Sequence, residues 1–127
     1  MKKHNYIPSH KSDYETVKKL LNANQETIKE LVPDLLIWLQ DGNWPIASDI
    51  AKILKPLNGE LLPHIRMVLN TNDGDWKYFM LNALVRDLDQ EVQVKLKNDL
   101  LRIVEYPTND EVNSEVTEVA QEILNKI

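Results

Sequence analysis

The feature that most constrains this chain is a self-similarity at an offset of 30 to 32 residues. Leu61-Leu62-Pro63 echoes Leu31-Val32-Pro33, and Ile65, Val68 and Leu69 repeat Leu35, Trp38 and Leu39, all at an offset of 30. A polar turn with Gly74 mirrors the one with Gly42, Trp76 answers Trp44 at an offset of 32, and an alanine follows each tryptophan by seven residues (Ala51, Ala83). Self-similarity of this length marks stacked supersecondary units that bury a core only against their neighbours.

The units read as helices. Ile28, Leu31, Val32, Leu35, Leu36 and Leu39 fall on one face at a 3.6-residue period. Pro33 should kink or restart that helix, because proline removes a donor and crowds the preceding turn. Gly42 is expected at C′ and Asn43 at the N-cap of a second helix, which carries Ile46, Ala47, Ile50, Ala51, Ile53 and Leu54, with Pro45 in its first turn. A third, looser pair has one stripe of Val92, Leu96, Leu100, Ile103 and Val104. Its last helix carries Val112, Val116, Val119, Ala120, Ile123, Leu124 and Ile127 after a capping box of Thr108 with Glu111. Ahead of the pairs, Ser12 and Glu15 fit another capping box, which opens a short helix. Residues 1–11 lack periodicity and contain Pro8, so they read as an arm, with residues 12–127 as the helical domain. The expectation is an all-α fold, a short solenoid of about seven helices.

Charge narrows the function classes. The chain of 127 residues carries a net charge of −5. Residues 1–104 are balanced, whereas residues 105–127 hold Lys126 alone against Glu105, Asp110, Glu111, Glu115, Glu118 and Glu122. A nucleic-acid binder shows the opposite, a basic stripe that displaces counterions, so no nucleic-acid partner is expected. No apolar stretch follows the basic N-terminus and none reaches the length of a membrane span, so a cytoplasmic location without membrane attachment is expected. Cysteine is absent, which removes disulfides, thiolate metal sites and a cysteine nucleophile together.

The segment Leu31 to Asp41, followed by Ile50-Ala51-Lys52-Ile53-Leu54, resembles a HEAT repeat, with Leu61 to Leu88 similar to a second copy. Where HEAT repeats commonly place arginine early in the second helix, this chain has Ser48 and Lys77. The chain from about Ser12 to Leu124 is also similar to a family of small, functionally uncharacterised bacterial HEAT-like domains. Trp38-Leu39-Gln40-Asp41-Gly42-Asn43-Trp44-Pro45, Pro63-His64-Ile65 and Trp76-Lys77-Tyr78 carry that similarity. The resemblance implies a fold and places second helices on a concave surface; it implies no activity.

On that placement the concave surface carries Asp49 and Lys52, then Lys77, Asn82 and Arg86, then Glu115, Glu118 and Glu122. These residues form either a solvated face or a groove complementary to a charged partner. Trp44 and Trp76 open the two second helices, as packed residues or as aromatic anchors at the groove rim. Asp73 and Asp75 around Gly74, and Asp87, Asp89 and Glu91, read as caps and solvated turns; the first cluster lacks the rest of a calcium loop. His64 flanks an apolar face, and His4 and His10 have no third ligand at a suitable spacing, so no metal or cofactor site is expected.

With no phosphate loop, nucleophile elbow or HExxH helix present, the leading expectation is a protein-interaction module, monomeric or weakly dimeric. One version is an inhibitor or immunity protein whose acidic last helix neutralises a basic partner. The alternative is a small enzyme with carboxylates and His64 gathered in the trough, which requires convergent groups of perturbed pKa.

Overall fold

The structure, a computed structural model, describes residues 3–127. Met1, Lys2 and the side chains of Lys3 and His4 lie outside the described residues. Among the described residues the chain is helical and has no strand. Nine α-helices follow one another: α1 (Tyr14–Leu21), α2 (Gln25–Leu36), α3 (Ala47–Leu54), α4 (Leu62–Leu69), α5 (Gly74–Ala83), α6 (Gln90–Lys95), α7 (Lys97–Glu105), α8 (Asn109–Asn113) and α9 (Val116–Leu124). Short 3₁₀ stretches occupy Lys3–Tyr6, Ile37–Leu39, Lys55–Leu61 and Val85–Asp87.

Two of the helices expected to be continuous are broken, which raises the number above seven. The Val92–Val104 stripe is divided at Leu96, between α6 and α7. The last helix is divided by Glu115, a non-glycine residue in the left-handed region at φ 61°. That break turns Val112 off the apolar face, and its side chain is 54% exposed rather than buried. By contrast α2 runs through Pro33 without ending there.

The apolar stripes converge on one core. Leu31, Leu35, Leu39, Ile50, Leu54 and Ile65 from the first half meet Leu81, Leu100, Ile103 and Ala120 from the second, all essentially inaccessible. Each such leucine or isoleucine contributes roughly 1.5–3 kcal/mol by leaving water. Helix α2 packs on α3, α4 on α5 and α7 on α9, while α3, α5 and α9 touch in series. Tyr6 and Ile7, in the segment expected as an arm, pack against this core, and Lys11 O accepts the Ile46 N–H at 3.2 Å.

Caps differ in detail from expectation. Asp13, not Ser12, caps α1. Its carboxylate accepts Thr16 N–H at 3.1 Å, Thr16 Oγ1–H at 2.7 Å and Ser9 N–H at 3.0 Å. The bonds from Ser9 and Thr16 hold its carboxyl well below the usual carboxylate range. Asn43 does not cap α3, which begins at Ala47 without a side-chain cap; the Asn43 N–H instead donates to Asp41 Oδ1 at 2.8 Å. The Thr108–Glu111 capping box is present as expected.

The two matched glycines share a purpose. A β-carbon on Gly42 would strike the ring of Phe79 in α5, and one on Gly74 would strike Asp110 O and lie 2.6 Å from Ser114 Oγ at α8. Each turn glycine therefore lies where a later helix comes too close for a β-carbon. This accounts for glycine recurring at the 32-residue offset.

Candidate functional site

The sequence places the partner-binding residues on the second helices, expected to line a concave face, and three of them meet. Arg86 Nη2 donates to Asn82 Oδ1 at 2.9 Å and to Glu122 Oε1 at 2.9 Å, joining the end of α5 to α9. One helix pair earlier, Lys55 Nζ reaches Asp87 Oδ2 at 2.8 Å. The C-terminal ends of α3, α5 and α9 are thus linked in series. Gln93 supports this corner from beneath, its amide donating to Val85 O and Arg86 O, both at 2.9 Å.

The remaining predicted residues distribute differently. Lys52, Glu115 and Glu118 are exposed and Asp49 is half-buried. Lys52 borders an apolar hollow with Leu21, Ile53 and Pro56 at the α1 side, away from the Arg86 corner. Trp44 is half-buried in an edge-to-face pair with Trp38, centroids 5.5 Å apart. Trp76 is half-buried, and its indole N–H donates to Leu36 O at 2.9 Å, tying α5 to the end of α2. Among the described residues no hydrogen bond or ring contact connects either tryptophan to the Arg86 group.

Lys77 requires a correction. Expected on the open face, it is 1% exposed and points inward. Its ammonium lies 2.8 Å from Asp110 Oδ2 and 2.9 Å from Glu111 Oε2. Glu111 is itself 0% exposed and takes four donors: Lys77, Thr108 N–H at 2.9 Å, and both ends of the Arg102 guanidinium at 2.6 and 2.7 Å. The reason is geometric: Gly74 lets α8 approach α5 so closely that Lys77, in the first turn of α5, faces α8 and not solvent. An ammonium there must be paired, since an isolated buried charge costs several kcal/mol.

Electrostatics follow from these contacts. Burial pushes the Glu111 carboxyl up, but the bonds from Arg102, Thr108 and Lys77 outweigh it and lower it to about 2. Asp110 is likewise lowered, burial opposing and the Lys77 and Thr108 bonds prevailing. The Glu111 bond raises Arg102. Carboxylates held ionised so firmly have no proton to exchange near neutral pH, so this cluster is built for fixed charge. His64 is half-buried and takes no part in it.

Much of the C-terminal acidic excess is consumed internally: Asp110 and Glu111 by Lys77 and Arg102, and Glu122 by Arg86. Glu105, Glu115 and Glu118 form no ion pair among the described residues and remain exposed. Sequence reasoning does not single out Arg102, and it reads Asp110 only as part of the C-terminal acidic excess. The one signal available was Glu111 at the third position of a capping box, with Arg102 nine residues before it.

No group of three or more histidine, cysteine or carboxylate side chains is placed to hold a metal among the described residues, and no helix is long and apolar enough to cross a membrane. No curated protein matches the chain. Residues 6–124 match a family described as a domain of unknown function, DUF5071. The chain belongs to the DUF5071 family.

Proposed function

We infer that the protein is an interaction module: a short stack of HEAT-like helix pairs that binds a partner protein through the face of α3, α5 and α9. The observation that carries the reading is the Asn82–Arg86–Glu122 linkage. It fixes polar side chains from two helix pairs beside one another at the surface. Side chains held in place before binding lose less entropy when a partner docks, so such a surface binds at lower cost than a mobile one.

The stacking itself draws support from ion pairs that span one repeat. Lys29–Glu60, Lys55–Asp87, Arg66–Asp99, Lys77–Asp110 and Arg86–Glu122 are separated by 31 to 36 residues, close to the sequence period. In a stack, each unit bonds to the next, and this ladder is what such contacts look like. A bacterial origin, which accords with the family resemblance, and a cytoplasmic setting are part of the same proposal.

The inhibitor version narrows to Glu115 and Glu118, the acidic side chains of α9 and its start that no internal cation engages. The test is capture of partners from the native host by the tagged protein and by variants. Glu115→Lys with Glu118→Lys should abolish capture of a basic partner while the fold survives. Retained capture by that variant removes the inhibitor version. Loss of capture on Arg86→Ala alone, with the last helix unchanged, supports the broader face.

A further inference from the structure

Arg102 and Lys77, members of the buried ion cluster, also border open space. The turn after α4 and the outer side of α7 enclose two adjoining polar hollows of about 300 and 230 Å³. Leu69, Asn70 and Arg102 line both. Asn98 and Asp99 complete the first, and Tyr106, Thr108 and Thr71 border the second.

Among the described residues two cations line this space, Arg102 and Lys77, and Lys77, 1% exposed, is spent on Asp110 and Glu111. The terminal fork of Arg102 is spent on Glu111, Nη1 on Oε1 and Nη2 on Oε2, and the other Nη1 hydrogen leans toward Tyr106 O at 3.4 Å. A guanidinium has five N–H donors. Two are left over here, Nε–H and the second Nη2–H, and covalent geometry places them side by side on one edge. Nothing accepts from Nε among the described residues. The side chain is 39% exposed, so that edge reaches solvent while Glu111 holds the plane still. A fixed pair of parallel donors matches a planar pair of acceptor oxygens.

Local charge selects the ligand's valence. Lys77, Arg102 and Arg66 stand against Asp110, Glu111 and Asp99, and Arg66 Nε meets Asp99 Oδ2 at 3.3 Å. The balance is neutral, with Asp99 at the wall of the first hollow. A dianion would meet that carboxylate without surplus positive charge, whereas a monoanion needs only the Arg102 edge. The rim amides of Asn70 and Asn98 offer both donors and acceptors to groups beside the anion, and Tyr106, 74% exposed, offers an apolar wall.

We propose that this double hollow is a binding site for a carboxylate, seated on the free edge of Arg102 and flanked by Asn70 and Asn98, of the size of an amino acid or a dipeptide end. The carboxylate belongs to a small organic acid, to a peptide C-terminus or to an acidic side chain, and the site is independent of the α3–α5–α9 face.

The test follows the Arg102 Nε–H resonance by ¹H–¹⁵N NMR in the intact chain. The probes are acetate, N-acetyl-Ala-Ala with a free C-terminus, the same dipeptide amidated, N-acetyl-Asp-amide, and inorganic phosphate. A saturable shift is expected with the free carboxylates and none with the amidated dipeptide. Equal affinity for acetate and dipeptide identifies small acids as the source. Tighter binding of the free-ended dipeptide identifies a chain terminus, and tighter binding of the aspartyl probe an acidic side chain. Asn98→Ala, an exposed change that leaves the fold intact, should weaken binding about fivefold through one lost hydrogen bond. The proposal is overturned if no carboxylate shifts Arg102 Nε–H saturably, if phosphate binds more tightly, if the amidated dipeptide binds as well, or if Asn98→Ala leaves affinity unchanged.

Discussion

Lys77 and Glu111 meet inside the protein at 2.9 Å, an ammonium and a carboxylate that are 1% and 0% exposed. They sit 34 residues apart in sequence and join the second helix pair to the third. Removing one partner leaves the other buried and under-paired, which typically costs about 3–5 kcal/mol. Glu111→Ala should therefore lower the urea-derived stability by about that amount, since it orphans Lys77 and Arg102 together. Lys77→Met combined with Glu111→Gln should cost less than the two single changes added, as expected for directly interacting residues. Additive effects would mean the two side chains do not interact.

Acid should unfold the protein through the same cluster. Glu111 has its carboxyl lowered to about 2 from an ordinary 4.5, and Asp110 is lowered too. A carboxyl lowered in the folded state stabilises the protein fully above its unfolded value. That stability is lost as pH falls through the folded value. Urea midpoints should thus be flat from neutrality down to about pH 5 and fall steeply between about 4.5 and 2. Glu111→Gln should flatten that fall, and an unchanged slope would assign the acid sensitivity elsewhere.

The three glycines should respond differently to alanine. At Gly74 the new β-carbon meets the backbone of α8, which cannot give way without moving Lys77's partners. Gly74→Ala should cost about 2 kcal/mol or more, within the range for overpacking. Gly42→Ala meets only the Phe79 ring and should cost less. Gly59 has open space and no positive φ, so Gly59→Ala should add about 0.5 kcal/mol by restricting the unfolded chain. Thermal unfolding of the three variants checks the order.

Glu115 holds the left-handed conformation that divides α8 from α9. For a residue with a β-carbon this costs about 1 kcal/mol that glycine avoids. Glu115→Gly should raise stability by a few tenths to about 1 kcal/mol in chemical denaturation. Asn58, also at positive φ (45°), should behave oppositely because its Oδ1 accepts the Asp89 N–H at 3.0 Å. Asn58→Gly relieves the backbone but removes that bond.

Helices and core were legible because their signals are local and repeated: the leucine stripes of α2, α3 and α4, and the glycine and tryptophan offsets, need only spacing to be read. The cap of α1 falls one residue later than expected because Ser12 and Asp13 are both good cap formers, and the bonds that Ser9 and Thr16 donate to the Asp13 carboxylate decide between them. The division at Glu115 had no glycine or proline to announce it. Lys77 was placed on the open face because polarity alone signals exposure. Its burial depends on the approach of α8 permitted by Gly74, a contact between segments 36 residues apart. Arg102 was missed for the same reason: its role is defined by Glu111, whose capping position could be read while its further partners could not.

The interaction reading is tested most directly by hydrogen exchange on the protein with its captured partner. Binding through the proposed face predicts new protection in α3, α5 and α9, centred on Asn82, Arg86 and Glu118, with exchange in α2, α4 and α7 unchanged. Protection confined to α2, α4 and α7, or no stoichiometric partner captured from the native host, would contradict it.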